Sequence, residues 1–592
     1  MDENDAPRMK SGARERRIYF AIILVLFAGI FAYRVFLFSD IEPRSDQAFF
    51  SWWVQGLAQA DHALPTVGPG ESYLVALERD DESFLHRLLR PIYGKSITIF
   101  TSVPLALRLT AAWVFGDGYG VQVVSSILAG SLIILAVGLF PVWTFRFHLR
   151  ERGRGQTNRD MNSTALLAAI FTAGASYLHY FSPWGNHNFG VLFLIIAAGA
   201  TERAIHSFES EQEGSRKVIL LAALLQFTAL YAHWTNVFLV PAATYIALVF
   251  SAVPARRKIA IGGFYLAALL IAALPFFSFA INDLSRPDNP LGTTVWTLIG
   301  IAFDHGLIEF VRGMGARAFQ WFENISAVFS VPGVILGLIG VTLLALRRRI
   351  FFPLALSIAH FLISITMALF IGAHFRTDLY VIPFLALGIA YIVALGFFAI
   401  RDFSRNWKGL ARAALGALII ALATQHLWRQ VNRTGPAGLI ERENPEFWAA
   451  YFQGQGEIGP MAGEIDKILP ERAVILTWGY GMQFFLRNYG IERSGRKIEP
   501  TLLTLLPRFN NGALAGLIKR RGLSIAAGVP IFSLVDLGAD QTDRETVRRG
   551  IENILGPAGF DLAAKVTLEP RGRWRLSSSW PRDVALYRVV LE

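Results

Sequence analysis

Of the 592 residues, 53% are hydrophobic and 17% charged, against about 25% charged in soluble proteins, so the chain lacks the polar surface to face water on all sides. The absence of cysteine excludes a disulfide scaffold, a thiolate zinc site, an iron–sulfur cluster and a cysteine nucleophile, and the 13% aromatic content excludes a disordered chain. A net charge of +11 would suggest nucleic acid for a soluble protein; here its meaning depends on where the 56 Lys and Arg lie.

A helix that crosses lipid needs about 20 mostly apolar residues. Eleven runs bounded by charge approach or meet that requirement: 18–38, 119–145, 162–181, 187–200, 218–233, 236–252, 259–281, 328–346, 350–371, 379–400 and 409–428. The first follows Arg14, Arg16 and Arg17, and its 21-residue core is too long for a signal peptide and lacks a small-residue cleavage site, so it reads as a retained anchor. The predicted fold class is a polytopic α-helical membrane protein of about eleven transmembrane helices (residues 1–428) with a C-terminal extracytoplasmic α/β domain (residues 429–592).

With the amino terminus inside, the inner segments carry 22 basic residues in 66 positions and the outer loops carry 10 in 143. That asymmetry sets the orientation, and it accounts for much of the net charge without nucleic acid. An odd number of spans then places the carboxyl terminus outside, in the periplasm if the membrane is a bacterial inner membrane. Residues 429–592 hold 22 basic and 18 acidic residues and no spanning run. There, strand-like stretches at 473–478, 530–535 and 584–590 alternate with helical ones near 480–489, 511–521 and 541–554.

The first outer loop runs for 80 residues, from Ser39 to Gly118. From Asp46 onward its aromatic and aliphatic residues fall at helical spacing, as in a helix lying along the membrane interface. Asp46 at its start either caps that helix or serves as a general base or substrate anchor just above the membrane. A second half-apolar helix ends at Phe115-Gly116, followed by a short polar turn and the second span.

This layout, together with the stretch Tyr380-Val381-Ile382-Pro383-Phe384-Leu385-Ala386-Leu387 and the outer α/β domain, resembles the GT-C superfamily of glycosyltransferases that use polyprenyl-phosphate sugars. Within it the chain looks most like the protein O-mannosyltransferase and lipid A aminoarabinose transferase branch. The resemblance implies a polyprenyl-phosphate sugar donor, a lipid, glycan or protein acceptor, and an early acidic residue in the first outer loop, the position that Asp46 occupies. Protein mannosyltransferases often have two adjacent acids there, whereas this chain has Asp46-Gln47. The second outer loop, where relatives often carry another acid, reads Tyr180-Phe181-Ser182-Pro183-Trp184-Gly185-Asn186-His187-Asn188.

In that loop His187 is a candidate for orienting an acceptor or binding phosphate, or else a hydrogen-bonded His at a helix start. His233, in the turn Tyr231-Ala232-His233-Trp234-Thr235-Asn236, carries the same two readings. The loop Gly372-Ala373-His374-Phe375-Arg376-Thr377-Asp378 holds the one basic residue of the three short outer loops. Its guanidinium suits bidentate phosphate binding, the alternative being a salt bridge with Asp378 or with the first loop. His374, Lys95, Arg87 and Arg90 are further substrate- or phosphate-binding candidates.

No Walker A, Rossmann glycine pattern, His-Glu-x-x-His or Gly-x-Ser-x-Gly motif occurs. Asp304-His305 is a weak metal hint; no cofactor is indicated, and basic side chains can neutralise a phosphate without a divalent metal. The alternative function is a multi-pass transporter or flippase. The chain shows no matching halves, however, and its prolines at 141, 241 and 383 are unrelated by an inverted repeat.

Overall fold

The computed structural model describes residues 5–38, 102–145 (except 117), 154–175, 185–209, 215–284 (except 234), 306–371, 375–401, 407–432, 457–477, 496–500, 529–537, 544–555, 566–576 and 583–591, with isolated positions between them. Helices α1 (Asp5–Phe38), α2 (Ser102–Phe115), α3 (Tyr119–Thr144), α4 (Arg154–Ala173), α5 (Gly185–Glu209) and α6 (Ser215–Leu230) are followed by α7 (Thr235–Phe250), α8 (Ala255–Leu284), α9 (Gly306–Arg348) and α10 (Phe352–Ile371). A 3-10 turn (Phe375–Tyr380) then leads into α11 (Ile382–Arg401) and α12 (Trp407–Asn432).

Among the described residues, six helices are long and apolar enough to cross a membrane: Arg17–Phe38, Gly120–Thr144, Asn186–Glu209, Val328–Arg348, Asp378–Arg401 and Trp407–Arg429. Each of the eleven runs read from the sequence falls on one of these, on a shorter apolar helix or on α8. The chain is built as an integral membrane protein. Burial separates centre from periphery: 83% of the spanning window of α11 is buried, against 11% for α1 and 17% for α12, whose remaining apolar surface is what lipid requires.

Two departures from the expected boundaries have local causes. The stretch 282–327, expected as an outer loop, is helical from Gly306, and α9 continues through a break at Ser330 (φ 59°) before its apolar half. Pro332 lies just beyond the break; its ring removes a backbone donor and crowds the preceding turn, so the two halves cannot run straight. The span expected to end at 181 ends as a helix at Ala173, where Gly174 donates its N–H to Ile170 O and a turn begins.

Close backbone approach joins the central helices. A Cβ on Gly340 of α9 would overlap the Gly388 carbonyl of α11, and one on Gly388 would overlap the Gly337 carbonyl. In lipid, where apolar surface gains nothing from leaving water, such contact supplies the dispersion that holds helices together. Polar bridges add to it: Gln226 Nε2 donates to Thr201 Oγ1 (2.8 Å) and Thr244 Oγ1 (3.0 Å), tying α6 to α5 and α7. At one end of the bundle Glu202 of α5 accepts the N–H of Phe352, capping α10, and Glu209 accepts the N–H of Ala252 at 2.7 Å.

The remaining described residues form a five-stranded sheet of order β2-β1-β3-β5-β4, from β1 (Ala473–Thr477), β2 (Arg496–Pro500), β3 (Ile531–Asp536), β4 (Val566–Arg575) and β5 (Asp583–Leu591). β2, β1 and β3 are parallel, and β5 is antiparallel to β3 and β4. Successive side chains of β3 point to opposite faces: Phe532 and Leu534 pack with α13 (Ile458–Ile468), Ile531 and Val535 with α14 (Arg544–Leu555). The strands expected at 473–478, 530–535 and 584–590 are β1, β3 and β5, and the helix expected at 541–554 is α14. The helices expected near 480–489 and 511–521 lie outside the described residues, apart from isolated positions near the first.

Candidate functional site

Three turns distant in sequence meet at the end of the bundle opposite Glu202. The first residues of α5 supply His187, the α6–α7 turn supplies His233, and the 3-10 turn supplies Tyr380. The imidazoles of His187 and His233 lie 4.3 Å apart between centroids, and the Tyr380 ring is 6.1 Å from the first and 5.7 Å from the second. Tyr380 and His233 are buried, while His187 is half-buried and forms the accessible side of the group.

Backbone and small residues make this approach possible. Gly190, one turn after His187, lies against the Tyr380 hydroxyl and the His233 Cβ, where no side chain fits. Asn236 Nδ2 donates to the carbonyls of Gly190 (2.9 Å) and Ala229 (2.8 Å), fastening the α6–α7 turn to α5. Thr235 donates its backbone N–H to His233 Nδ1 at 3.2 Å. Val103 at the start of α2 donates its N–H to Tyr231 O, so the helix that closes the first loop is tied to the same turn.

The 3-10 turn is held on its other side as well. Asp378, buried, places Oδ1 3.8 Å from Nε2 of His360 on α10, and His360 Nδ1 accepts the indole N–H of Trp321 on α9 at 3.0 Å. Asp378 thus faces an imidazole, and Arg376 belongs to the same six-residue turn.

Two further cations sit within helix interfaces. Arg34 of α1 is fully buried and donates to Ser131 Oγ on α3 at 3.3 Å; the neighbouring Gly130 packs against Asn188 and Ser182, beside His187. Arg108 of α2 is also buried and donates to Gln122 O at 3.4 Å. Arg34 lies in a spanning helix, where an arginine costs about 2.5–3.5 kcal/mol on insertion scales, more than the roughly 0.6 kcal/mol that an interhelical hydrogen bond returns. An arginine inside an apolar run was a readable signal in the sequence for both residues, and neither was among the sequence candidates.

Of those candidates the structure brings His187 and His233 together and places Arg376 on the adjoining turn. Asp46, Lys95, Arg87, Arg90, His374 and Asp304-His305 lie outside the described residues. Among the described residues, no group of three or more His, Asp or Glu side chains is arranged to hold a metal ion.

A small apolar depression with a volume of about 20 Å³ lies between α6, α7 and α8, lined by Phe227, Leu230, Val240, Tyr265, Leu269 and Ala272 among others. Its Ala272 end is joined to the α6–α7 turn, because Tyr231 Oη donates to Ala272 O at 3.1 Å. Exposed apolar side chains such as Leu224, Leu266 and Ile271 on α6 and α8 face the surroundings near it.

No protein-family model matches the chain, and no curated protein matches it in sequence. Solved structures similar to it include the archaeal oligosaccharyltransferase AglB from Archaeoglobus fulgidus, in complex with an inhibitory peptide and a dolichol-phosphate (13% identity, 92% of this chain and 71% of that one, TM-score 0.45). ArnT from Cupriavidus metallidurans bound to undecaprenyl phosphate is similar over 95% of this chain and 97% of that one, at 12% identity and a TM-score of 0.45. Its apo form gives a TM-score of 0.44 at the same identity and coverage.

Proposed function

We propose that the chain is an integral membrane glycosyltransferase that moves a sugar from a polyprenyl-phosphate donor to an extracytoplasmic lipid, glycan or protein acceptor. The observation that carries this reading is the meeting of three turns at one end of a lipid-embedded bundle, which gathers imidazole, phenol and the Arg376 segment where a lipid-borne phosphate would lie. Fixed cations beside a low-dielectric boundary stabilise the charge that gathers on the phosphate as it leaves.

In the mechanism that follows, Asp46 takes the proton of the acceptor hydroxyl as its oxygen attacks the anomeric carbon from the face opposite the phosphate. The bond from that carbon to the phosphate oxygen breaks with its electron pair going to the phosphate, and the configuration inverts. Arg376 forms the principal phosphate contact, with His187, His374, Lys95 and Arg87 completing the charge compensation. No nucleotide is consumed, because the donor already carries a leaving group that needs only its charge offset.

Arg376→Ala is expected to weaken binding of a polyprenyl phosphate, while Arg376→Lys retains part, since the charge survives but the planar fork is lost. Equal affinity in wild type and both variants, measured in detergent, would return Arg376 to a structural role.

The same reading places the amino terminus in the cytoplasm and residues 429–592 outside it, on the strength of 22 basic residues in 66 inner positions against 10 in 143 outer ones. A reporter fused after residue 592 that works only in the periplasm or its equivalent is the expected result. Activity of that fusion in the cytoplasm would move every proposed site residue to the wrong side.

A further inference from the structure

We infer that Asp378 is a positioning residue for donor binding: buried beside His360, it fixes the 3-10 turn that carries Arg376. The inference rests on the proposed role of Arg376 as a phosphate ligand.

The geometry forms a directed chain. Trp321 has a donor only, and its indole N–H points at His360 Nδ1 at 3.0 Å, which makes that nitrogen the acceptor. The proton of the neutral ring therefore lies on Nε2, the nitrogen 3.8 Å from Asp378 Oδ1. Trp321 is itself held edge-on against Phe361, with centroids 5.1 Å apart, so the chain starts from a packed side chain. His360 is 1% exposed and Asp378 3% exposed, so neither meets solvent or substrate directly.

Two residues further on, Tyr380 locks the same turn from the other side, against His187, His233 and the bare surface of Gly190. A six-residue 3-10 segment has weak internal hydrogen bonding and would not keep its shape alone. Here the segment is gripped through both Asp378 and Tyr380. Fixing a turn in this way sets where its remaining members begin, and Arg376 is the cationic one. The carboxylate acts through the turn, as outer supports act on a ligand-binding group. A buried carboxylate is expensive in this setting, and orientation of a phosphate ligand gives the protein a reason to keep it.

The test is a double-mutant cycle in the full-length protein, read as the affinity for a short-chain polyprenyl phosphate and for the matching polyprenol, which has the tail without the phosphate. Asp378→Ala is expected to weaken phosphate binding about tenfold, the low end for loss of an outer support, while polyprenol binding and melting temperature stay near wild type. Asp378→Asn, which keeps the size and a hydrogen-bonding group in the same place beside His360, should restore most of the loss. In an Arg376→Ala background, Asp378→Ala should add little, since both act on one contact.

Unchanged phosphate affinity in Asp378→Ala, or a full additive loss on top of Arg376→Ala, would overturn the inference and leave the role of Arg376 standing. An Arg376→Ala protein with unchanged affinity would remove that role and this inference with it. Should Asp378→Ala fail to fold, His360→Gln takes its place in the cycle, with the same outcomes required.

Discussion

Asp46→Asn is expected to leave the protein folded and to lower sugar transfer by about 10² or more, the size of effect that loss of a positioned general base produces. Asparagine has nearly the shape of aspartate but cannot take a proton from the acceptor hydroxyl. The competing role, a cap on the interfacial helix, predicts the converse: Asn caps about as well as Asp, so both activity and stability would be retained. Transfer rate and melting temperature measured on this one variant separate the two. A folded, fully active Asp46→Asn protein would sink the assignment and direct attention to Asp40, Glu42 and Asp61.

Gly388→Val is expected to cost the bundle most of its stability. The new Cβ would overlap the Gly337 carbonyl and come within 3.0 Å of the Val341 side chain, so backbone has to move. Overpacking against side chains costs typically 1–3 kcal/mol, and here the obstruction is main chain between two central helices. Gly29→Val is the control, because a Cβ there meets nothing within 4 Å. The measurement is the midpoint of thermal unfolding in detergent: a large fall for Gly388→Val beside a near-unchanged Gly29→Val is the expected pair. Equal midpoints would show that the α9–α11 contact can open freely.

The helices were readable because lipid imposes a length and a composition that few other settings demand, and all eleven apolar runs fall on helices. Boundaries were readable only where charge marks them. The outer half of α9, Gly306–Phe329, mixes Arg312, Arg317 and Glu323 with apolar residues, and its polarity suggested a loop. In the sheet, β1, β3 and β5 announce themselves by runs of Val, Ile and Leu, whereas β2 reads Arg-Lys-Ile-Glu-Pro and β4 is polar over its second half. Beyond Leu568, β4 has no fully buried position, so no apolar pattern marks it.

The candidate site was legible in its parts and illegible as an arrangement. His187, His233 and the 375–380 turn stand out individually as polar breaks between apolar runs. Their contact depends on helix order around the bundle, which hydropathy does not encode. His360 and Trp321 lie within or beside apolar stretches and carry no local signal; only packing reveals that they face Asp378.

The two outermost strands of the sheet bear on how copies of the protein behave when crowded together. An open strand edge is an invitation to another chain, and charge or proline along it withdraws the invitation. β2 carries Arg496, Lys497 and Glu499 and stops at Pro500, while β4 is interrupted by a bulge between Pro570 and Gly572 and continues through Arg571, Arg573 and Arg575. Arg573 is paired with Asp583 of the neighbouring strand at 2.5 Å, and Arg571 with Glu569, so the border is salted with ions of both signs. Chains packed side by side in one membrane thus meet at borders that resist fusing into a shared sheet, and crowding does not by itself drive them toward fibrous aggregates.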